Sequence, residues 1–365
     1  MQKIFNEICE KGRLVGASCV ITRHGAIKEA LSYGMSSLED NRLVTPYTIY
    51  RIASISKTVM ALSLMKLVEE GRLSIEDDIS TILGFLVRNP RFPETSITIK
   101  MLLTQTSSIT DGLDDESTGY NHVNGTNRDV TLFDLLSQTG SCFVPETFDK
   151  HEPGTKFLYA NFNCGILSCI IEKVSGELFT EYVKKVVFFP LGLDASYRPS
   201  DIVNSDIASL YYADAEEVRL SRTREDFLRR EYKIFPLGEN YRGPAGGLFI
   251  NMIDLCRIAS VFINHGHPIL KKETIDLMLQ KHWEGPRNGS YQAKGLQMII
   301  LDDFKVRLYG HFGDAYGAKS FMLFNPEKEI AITFITNGGH YRSQDNGICD
   351  VHEQMIHAFL EHYGA

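Results

Sequence analysis

Two side chains that could carry out nucleophilic chemistry stand three residues apart near the start of a predicted helix. Ser54 follows the segment 49–53, which is typical of a short strand, and Lys57 comes three residues later. Side chains at positions i and i+3 share one helix face, so the hydroxyl and the ammonium can meet. Free N–H groups at a helix N-terminus also favour developing negative charge. The pair therefore predicts a serine nucleophile with a lysine beside it to accept its proton.

The spacing alone is weak evidence, because the same S-x-x-K pattern recurs at Ser63 and Lys66. Ser63 lies in the middle of a run of helix formers, without a free N-terminus, so we interpret it as part of the scaffold. For Ser54 the structural alternative is an N-cap serine that only begins a helix.

Two further motifs favour the catalytic interpretation of Ser54. Tyr159 and Asn161 form a Y-x-N pattern, and His311 and Gly313 form an H-x-G pattern; each pattern occurs once in the chain. Taken alone, the tyrosine and the histidine would be ordinary, partly buried residues. The three motifs together, in this order, indicate one catalytic set.

The ordered motifs make the chain resemble the penicillin-recognising serine hydrolases, whose signature includes S-x-x-K. With Y-x-N second and H-x-G third, it is similar to the branch of the β-lactamase-like superfamily that contains class C β-lactamases, D,D-carboxypeptidases, D-aminopeptidases and family VIII esterases. Three other segments carry the same resemblance: 97–107, 153–157 and 243–248, which match I-T-I-x-x-L-L-T-H-T-S, P-G-x-x-F and P-A-G-G-L.

This resemblance implies roles for the motif residues. Ser54 would form the acyl-enzyme, Lys57 would act as its base, and Tyr159 would carry the proton to the leaving group. Asn161 would orient the lysine or a substrate amide. The backbone N–H groups of Ser54 and of Asp314, the residue after H-x-G, would form the oxyanion hole, so Gly313 and Asp314 belong to the predicted substrate-binding residues together with His311.

The family fold and the element pattern agree on the architecture. We predict an α/β (α+β) protein of the β-lactamase/transpeptidase-like fold, with an antiparallel sheet flanked by helices and an all-helical lobe. Residues 1–76 and 290–365 would form the sheet domain, residues 77–289 a mostly helical domain, and the active site the cleft between them. Strands are expected at 17–22, 27–33, 296–301, 305–311, 319–324 and 330–336, with a helix running from Ser54 to Gly71 and a closing helix over 351–363.

Composition excludes several classes of function. The chain has 365 residues and a net charge of −8 without a basic patch, which argues against a nucleic-acid surface. The cluster 222–231 mixes both signs and is typical of a solvated helix face. No apolar run approaches the length of a membrane span. His265 and His267 lack further ligands at metal spacing, so we expect a loop there and no metal or cofactor.

Cysteine usage and the N-terminus predict the location. The seven cysteines are scattered, odd in number and without a C-x-x-C pair, which indicates buried free thiols in a reducing compartment. Residues 1–11 form the start of an amphipathic helix and lack the features of a signal peptide. We therefore expect a cytoplasmic protein, with a removed leader as the alternative.

Departures from the family pattern bear on the substrate. His311 stands where β-lactamases and most penicillin-binding proteins have a lysine, and a histidine is a weaker, pH-dependent cation. This favours the esterase and aminopeptidase members. Gln105 and Ser108 replace the histidine and the glycine of the family stretch L-L-T-H-T-S-G, and we have no functional interpretation of these two changes. The side chain of Asp314 could pair with a substrate amine or point to solvent, and we favour solvent.

The sequence thus predicts a serine hydrolase that acts through a Ser54 acyl-enzyme on small amides or esters, with a peptide-like or D-amino-acid portion. One alternative is a penicillin-binding D,D-carboxypeptidase or a β-lactamase. Another is a non-catalytic binding or structural protein that retained the fold, against which the intact set of Ser54, Lys57 and Tyr159 argues. The expected partner is a small-molecule or peptide-like substrate, and the oligomeric state is left open.

Overall fold

The fold is described from a computed structural model of the chain. The structure describes residues 1–112, 119–203, 206–213, 217–287, 290–342 and 348–363. In these ranges the helices are α1 (Gln2–Lys11), α2 (Ser56–Glu69), α3 (Ile79–Leu83), α4 (Ile99–Thr104), α5 (Gly119–Asn124), α6 (Leu132–Leu136), α7 (Asn161–Ser175), α8 (Phe179–Val183), α9 (Phe189–Leu191), α10 (Arg224–Leu228), α11 (Met252–Ile263), α12 (Lys272–Leu279) and α13 (Asp350–Tyr363).

One large antiparallel sheet dominates the described residues, with the strand order β3-β2-β1-β13-β12-β11-β10-β9-β8; β4 pairs with β7 and β5 with β6. The strands are β1 (Gly16–Arg23), β2 (Ala26–Ser37), β3 (Arg42–Leu43), β4 (Tyr50–Arg51), β5 (Leu210–Ala213), β6 (Val218–Arg222), β7 (Phe249–Ile250), β8 (Trp283–Arg287), β9 (Ser290–Gly295), β10 (Met298–Leu301), β11 (Leu308–Ala315), β12 (Ala318–Asn325) and β13 (Ile330–Thr336).

Helices cover both faces of the central strands, which explains why β13 is buried along its whole length. Successive side chains of a strand point to opposite faces. Ile332 and Phe334 therefore pack with α1 and α13 on one face, whereas Ile335 packs with α2 and α11 on the other. A strand covered on both sides needs apolar residues at almost every position, and the sequence of β13 supplies them.

The middle of the chain forms helices and loops around α7, which packs on α2, α3 and α4. Helix α7 is buried over most of its circumference. Helix α11 also comes from this part of the sequence, but it packs on β1, β12 and β13. The division of the chain into domains at residues 77 and 289 stays a prediction.

The strands predicted at 17–22, 27–33, 319–324 and 330–336 and the closing helix are confirmed. Gly71 ends α2 with a positive φ of 70°, as predicted. The strand predicted to end at His311 instead begins at Leu308 and continues to Ala315. Two strands, β8 and β9, were not predicted, because their polar sequences with Pro286 and two glycines lack the alternation of a half-buried strand.

The structure bears on the predictions about the cysteines and about membrane-spanning segments. All seven cysteines are buried and none is in a disulfide, as expected for free thiols. In the described part of the chain we find no helix with the length and apolarity needed to cross a bilayer. The cytoplasmic location itself stays a prediction.

Candidate active site

Ser54 lies in a short 3₁₀ turn, Ala53–Ile55, which leads directly into α2. The sequence predicted Ser54 at the junction of a strand and a helix, and it lies between β4 and α2, which begins at Ser56. The residue before it, Ala53, has a φ of 51°, in the left-handed region that non-glycine residues rarely adopt. Such local strain persists only where surrounding contacts hold it, and it is common at functional sites.

Lys57 is completely buried and its ammonium group has three acceptors. Its Nζ donates to Ser54 Oγ at 2.9 Å, to Asn161 Oδ1 at 2.9 Å and to the backbone oxygen of Ala245 at 2.7 Å. An ammonium has three N–H donors, so this set uses all of them. The side chain is therefore fixed with its nitrogen on the hydroxyl of Ser54, as the i, i+3 spacing predicted.

The hydroxyl of Tyr159 also reaches Ser54. Tyr159 OH donates to Ser54 Oγ at 2.7 Å, and the ammonium of Lys57 lies 4.9 Å from the centre of the tyrosine ring. Ser54 Oγ thus contacts both a lysine nitrogen and a phenol oxygen. Two groups able to move a proton to or from the serine oxygen meet at one atom.

Asp111 is a site residue that the sequence analysis missed. Its Oδ2 accepts from Asn161 Nδ2 at 3.0 Å, and its Oδ1 accepts from the backbone N–H of Phe162 at 2.8 Å. Burial raises the pKa of Asp111, and these N–H donors together with the charge of Lys57 partly offset that rise. The carboxylate fixes the amide of Asn161 so that its oxygen faces the lysine. Asp111 lies in a loop outside all three motifs, and nothing in its spacing marks it.

Gln105, one of the departures from the family segment, supports the loop before α7. Its side-chain Oε1 accepts from the backbone N–H of Ala160 at 3.0 Å and from Asn163 Nδ2 at 2.6 Å. Its backbone oxygen accepts from Leu158 N at 2.7 Å. Gln105 therefore holds the segment that carries the Y-x-N motif.

Ser108, the other departure, has a φ of 63°. Glycine adopts this left-handed conformation without strain, which accounts for the glycine in the family segment that this chain resembles. The hydroxyl of Ser108 accepts from Asn89 Nδ2 at 3.1 Å. The serine is thus tied to a neighbouring loop and not to Ser54.

The glycine of H-x-G is required by packing. A Cβ atom on Gly313 would overlap the hydroxyl of Ser320 and lie 2.5 Å from the backbone oxygen of Ile52. Strand β11 therefore passes directly against the segment that leads into Ser54. Ser54 comes two residues after Ile52, and Asp314 comes directly after Gly313. Both residues line the same cleft. The oxyanion hole from their backbone N–H groups stays a prediction.

His311 and Asp314 lie on the same strand at the wall of this cleft, whose volume is about 530 Å³. The imidazole of His311 lies 6.4 Å from the ring of Tyr159, and its Nδ1 bonds the backbone oxygen of Phe312 at 2.6 Å. The side chain of Asp314 is 68% exposed and forms an ion pair with Lys319 on the adjacent strand. The carboxylate is thus mostly exposed, its ion pair with Lys319 was not predicted, and the choice between solvent and a substrate amine stays a prediction.

The second S-x-x-K pattern is structural. Ser63 is fully buried within α2, and its hydroxyl donates to the backbone oxygen of Met60 at 2.7 Å. The hydroxyl bonds back to its own helix, and Ser63 is not among the residues that line the cleft. The scaffold interpretation of Ser63 is confirmed.

Comparisons with known proteins agree with this geometry. The sequence matches the Beta-lactamase family over residues 1–348. Protein flp from Staphylococcus aureus (strain N315) is 32% identical over 191 residues, which are 52% of this chain and 36% of that protein. The chain thus spans well under half the length of this curated relative.

Two solved structures show the same fold. An octameric penicillin-binding protein homologue from Pyrococcus abyssi is 26% identical with a TM-score of 0.77, covering 99% of this chain and 76% of its own. A D-amino acid amidase from Ochrobactrum anthropi SV3 is 21% identical with a TM-score of 0.69, covering 93% of this chain and 90% of its own. The matched family, the fold and the three ordered motifs lead to one conclusion: this chain belongs to the beta-lactamase family.

Proposed function

We propose that the protein is a serine hydrolase that acts through an acyl-enzyme on Ser54. The observation that carries the proposal is the contact of Ser54 Oγ with Lys57 Nζ at 2.9 Å and with Tyr159 OH at 2.7 Å. A serine hydroxyl becomes a nucleophile when a neighbouring base accepts its proton. A binding protein has no need of this arrangement.

In the acylation step, Ser54 Oγ attacks the substrate carbonyl carbon while its proton passes to the neutral form of Lys57. The tetrahedral oxyanion lies against the backbone N–H groups of Ser54 and Asp314. Tyr159 then delivers its proton to the leaving amine or alcohol as the bond to the carbonyl carbon breaks, and the proton held by Lys57 passes to Tyr159, so both groups are restored before deacylation. In deacylation a water molecule attacks the ester carbon and its proton returns to Ser54 Oγ through the same groups.

The proposed substrates are short peptide-like amides or esters, including those of D-amino acids. Strand β10 pairs with β11 only at residues 308–310, so residues 311–314 border the cleft without a partner from β10. An extended peptide can add to such a strand edge through backbone hydrogen bonds. The fold shared with a D-amino acid amidase supports this substrate class.

A penicillin-binding D,D-carboxypeptidase is the second candidate, and one lysine favours it. Lys294 lies outside the three motifs, is 93% buried and lines the same cleft as Ser54. It also lies 4.6 Å from the ring of Phe157. A cation in this position could hold the terminal carboxylate of a peptide, a role for which His311 is poorly suited.

Mass spectrometry of the intact protein after incubation with a fluorophosphonate tests the nucleophile. We expect one added mass on the wild type and none on Ser54→Ala, while Ser63→Ala, the matched control, labels normally. A panel of D- and L-phenylalanine amides and methyl esters, with benzylpenicillin, then separates the substrate classes. Labelling of Ser54→Ala would refute the nucleophile, and a stable benzylpenicillin adduct on Ser54 without turnover of the amides or esters would favour the second candidate.

A further inference from the structure

A second cavity, of about 270 Å³, lies on the other side of the turn that supports Lys57. The backbone oxygen of Ala245 in this turn accepts from Lys57 Nζ at 2.7 Å. Its neighbours Gly243, Pro244 and Gly247 line the second cavity. One turn of the chain therefore forms a wall of two separate spaces, and the proposed chemistry at Ser54 uses only the first.

Positive charge is concentrated in this cavity. Five cationic side chains line it: Arg51, Arg198, Arg230, Lys233 and Arg242. Two of them have acidic partners, since Lys233 pairs with Asp129 at 2.6 Å and Arg198 lies 3.9 Å from Glu181. Among the described residues, no carboxylate lies within ion-pair distance of the other three arginines.

The two carboxylates of the lining do not neutralise these arginines. Glu172 is buried and bonds its own surroundings: its oxygens accept from the backbone N–H groups of Phe179 at 3.0 Å and Gly238 at 2.7 Å. Glu231 is exposed and lies next to Arg230 in the chain. The cavity therefore keeps an excess of positive charge.

Arg51 is the innermost of these cations. It belongs to β4, three residues before Ser54, and its guanidinium lies 5.0 Å from the ring of Tyr316. Its Nη1 is buried and has no hydrogen-bond partner among the described residues. Burial lowers the pKa of Arg51, and the nearby charges of Arg230 and Arg222 lower it further. A buried cation without an anionic partner is costly, and an anion in the cavity would supply the opposite charge.

Arg242 presents the same pattern on another wall. Its guanidinium lies 4.1 Å from the ring of Phe235 and 4.3 Å from the ring of Tyr241. Its Nη2 donates to the backbone oxygen of Arg128 at 2.8 Å, whereas its Nη1 is buried without a partner in the described residues. Two guanidinium groups that lie over aromatic rings, each with a buried nitrogen that lacks an acceptor among the described residues, thus border one cavity.

We propose that this cavity is a second ligand site, which binds a small organic anion consisting of a carboxylate on an aromatic or other apolar body. The guanidinium groups match the geometry of a carboxylate. Phe179, Tyr197 and Phe235 supply the apolar walls. The volume lies just below the usual range for drug-sized ligands, so the ligand is about the size of an N-acylated amino acid.

The site is tested in Ser54→Ala, so that nothing is turned over and the outcome does not depend on the proposed hydrolase activity. Isothermal titration calorimetry compares N-acetyl-phenylalanine with its uncharged amide and with inorganic phosphate. We expect saturable binding of the carboxylate and at least tenfold weaker binding of the amide, because the amide cannot form a charge-assisted pair with arginine. Phosphate should bind more weakly than the carboxylate, since it cannot use the apolar walls.

Three variants locate the binding. Arg230→Gln, at an exposed position of the lining, should weaken carboxylate binding by about tenfold. The matched control Arg229→Gln, its exposed neighbour outside the lining, should leave binding unchanged. Lys294→Gln, in the cleft of Ser54, should also leave it unchanged. Absence of binding in the millimolar range, equal binding of acid and amide, or loss of binding in Lys294→Gln but not in Arg230→Gln would each overturn the proposal.

Discussion

The carboxylate of Asp111 should control the orientation of the amide that contacts Lys57, and Asp111→Asn tests this. Asp111 accepts one bond through each oxygen, from Asn161 Nδ2 and from the backbone N–H of Phe162. In the variant one of the two oxygens becomes an NH₂ group, which can only donate. One of the two donors must therefore lose its acceptor or move.

The donor that moves is the side chain of Asn161. The N–H of Phe162 belongs to the first turn of α7 and cannot turn away, and the helix N-terminus favours an acceptor there. The new NH₂ group then faces Asn161, whose amide rotates to offer its oxygen. Its Nδ2 now faces Lys57, and the bond of 2.9 Å from Lys57 Nζ to Oδ1 is lost. A hydrogen bond to a charged group contributes about 1.5–3 kcal/mol. If that contribution is made in the transition state, kcat/KM falls roughly 10- to 150-fold.

The assay is the acylation rate with a chromogenic ester, measured beside the free energy of unfolding. Asp254→Asn is the matched control: burial also raises the pKa of Asp254, but this residue lies in α11, outside the site. We expect it to lose stability and keep its acylation rate. In a protein that already carries Asn161→Ala, adding Asp111→Asn should lower the acylation rate little further. Multiplicative losses in the double variant, or a loss of stability without a loss of rate in Asp111→Asn, would refute this reasoning.

The same structure predicts three further outcomes. Lys57→Ala and Tyr159→Phe should each lower kcat by orders of magnitude and the double variant by little more, because both groups act on one oxygen; simple multiplication would show that they act independently. His311→Lys should shift kcat/KM toward carboxylate-bearing substrates, and an unchanged ratio for matched acid and amide substrates would contradict that role. Burial, aided by Lys319, lowers the pKa of His352 to about 3. His352 is neutral in the folded protein, whereas an unfolded histidine is protonated below about pH 6.5. The free energy of unfolding should therefore fall as the pH is lowered below about 6.5, by up to about 1.4 kcal/mol per pH unit. The free energy of unfolding of His352→Phe, measured with urea, should not show this fall at low pH. Replacement of the exposed His357 on the same helix by Phe should leave the fall unchanged.

Protonation of Asp111 gives a second check on the first prediction. A protonated carboxyl donates through one oxygen, so it has the same mismatch as the asparagine variant. Burial raises the pKa of Asp111. As the pH is lowered, the activity should therefore begin to fall at a higher pH than it would if Asp111 had the pKa of an exposed aspartate. The fall should be absent from the pH profile of Asp111→Asn, which cannot be ionised.

The sequence predicts the motif residues well because they are recognised from short local spacings and from the order of the three motifs along the chain. The contact of Ser54 with Lys57 follows from i, i+3 spacing, and the burial of both faces of β13 follows from its apolar composition. The strands β8 and β9 were missed for the opposite reason. They pair with each other at one end of the sheet, and their largely polar sequences carry too little apolar alternation to predict a strand.

Asp111 and Ala245 could not be predicted, because their roles depend on tertiary contacts. Ala245 acts through its backbone oxygen, which every residue type carries, and it reaches Lys57 across 188 positions of sequence. Asp111 acts through the amide of Asn161. Neither role requires a fixed spacing from Ser54, so no local pattern reports it.

The residues of the proposed catalytic set are more tightly constrained by their contacts than the proposed substrate-binding residue His311. The serine, lysine and tyrosine constrain one another, since Lys57 has all three donors in use and Ser54 Oγ contacts two partners. Gly313 is constrained by the backbone of Ile52. His311 lies on the same strand, where its Nδ1 bonds the backbone oxygen of Phe312. If His311 selects the substrate, as we propose, a change at this residue should alter which substrates the cleft binds while Lys57 and Tyr159 keep their contacts with Ser54.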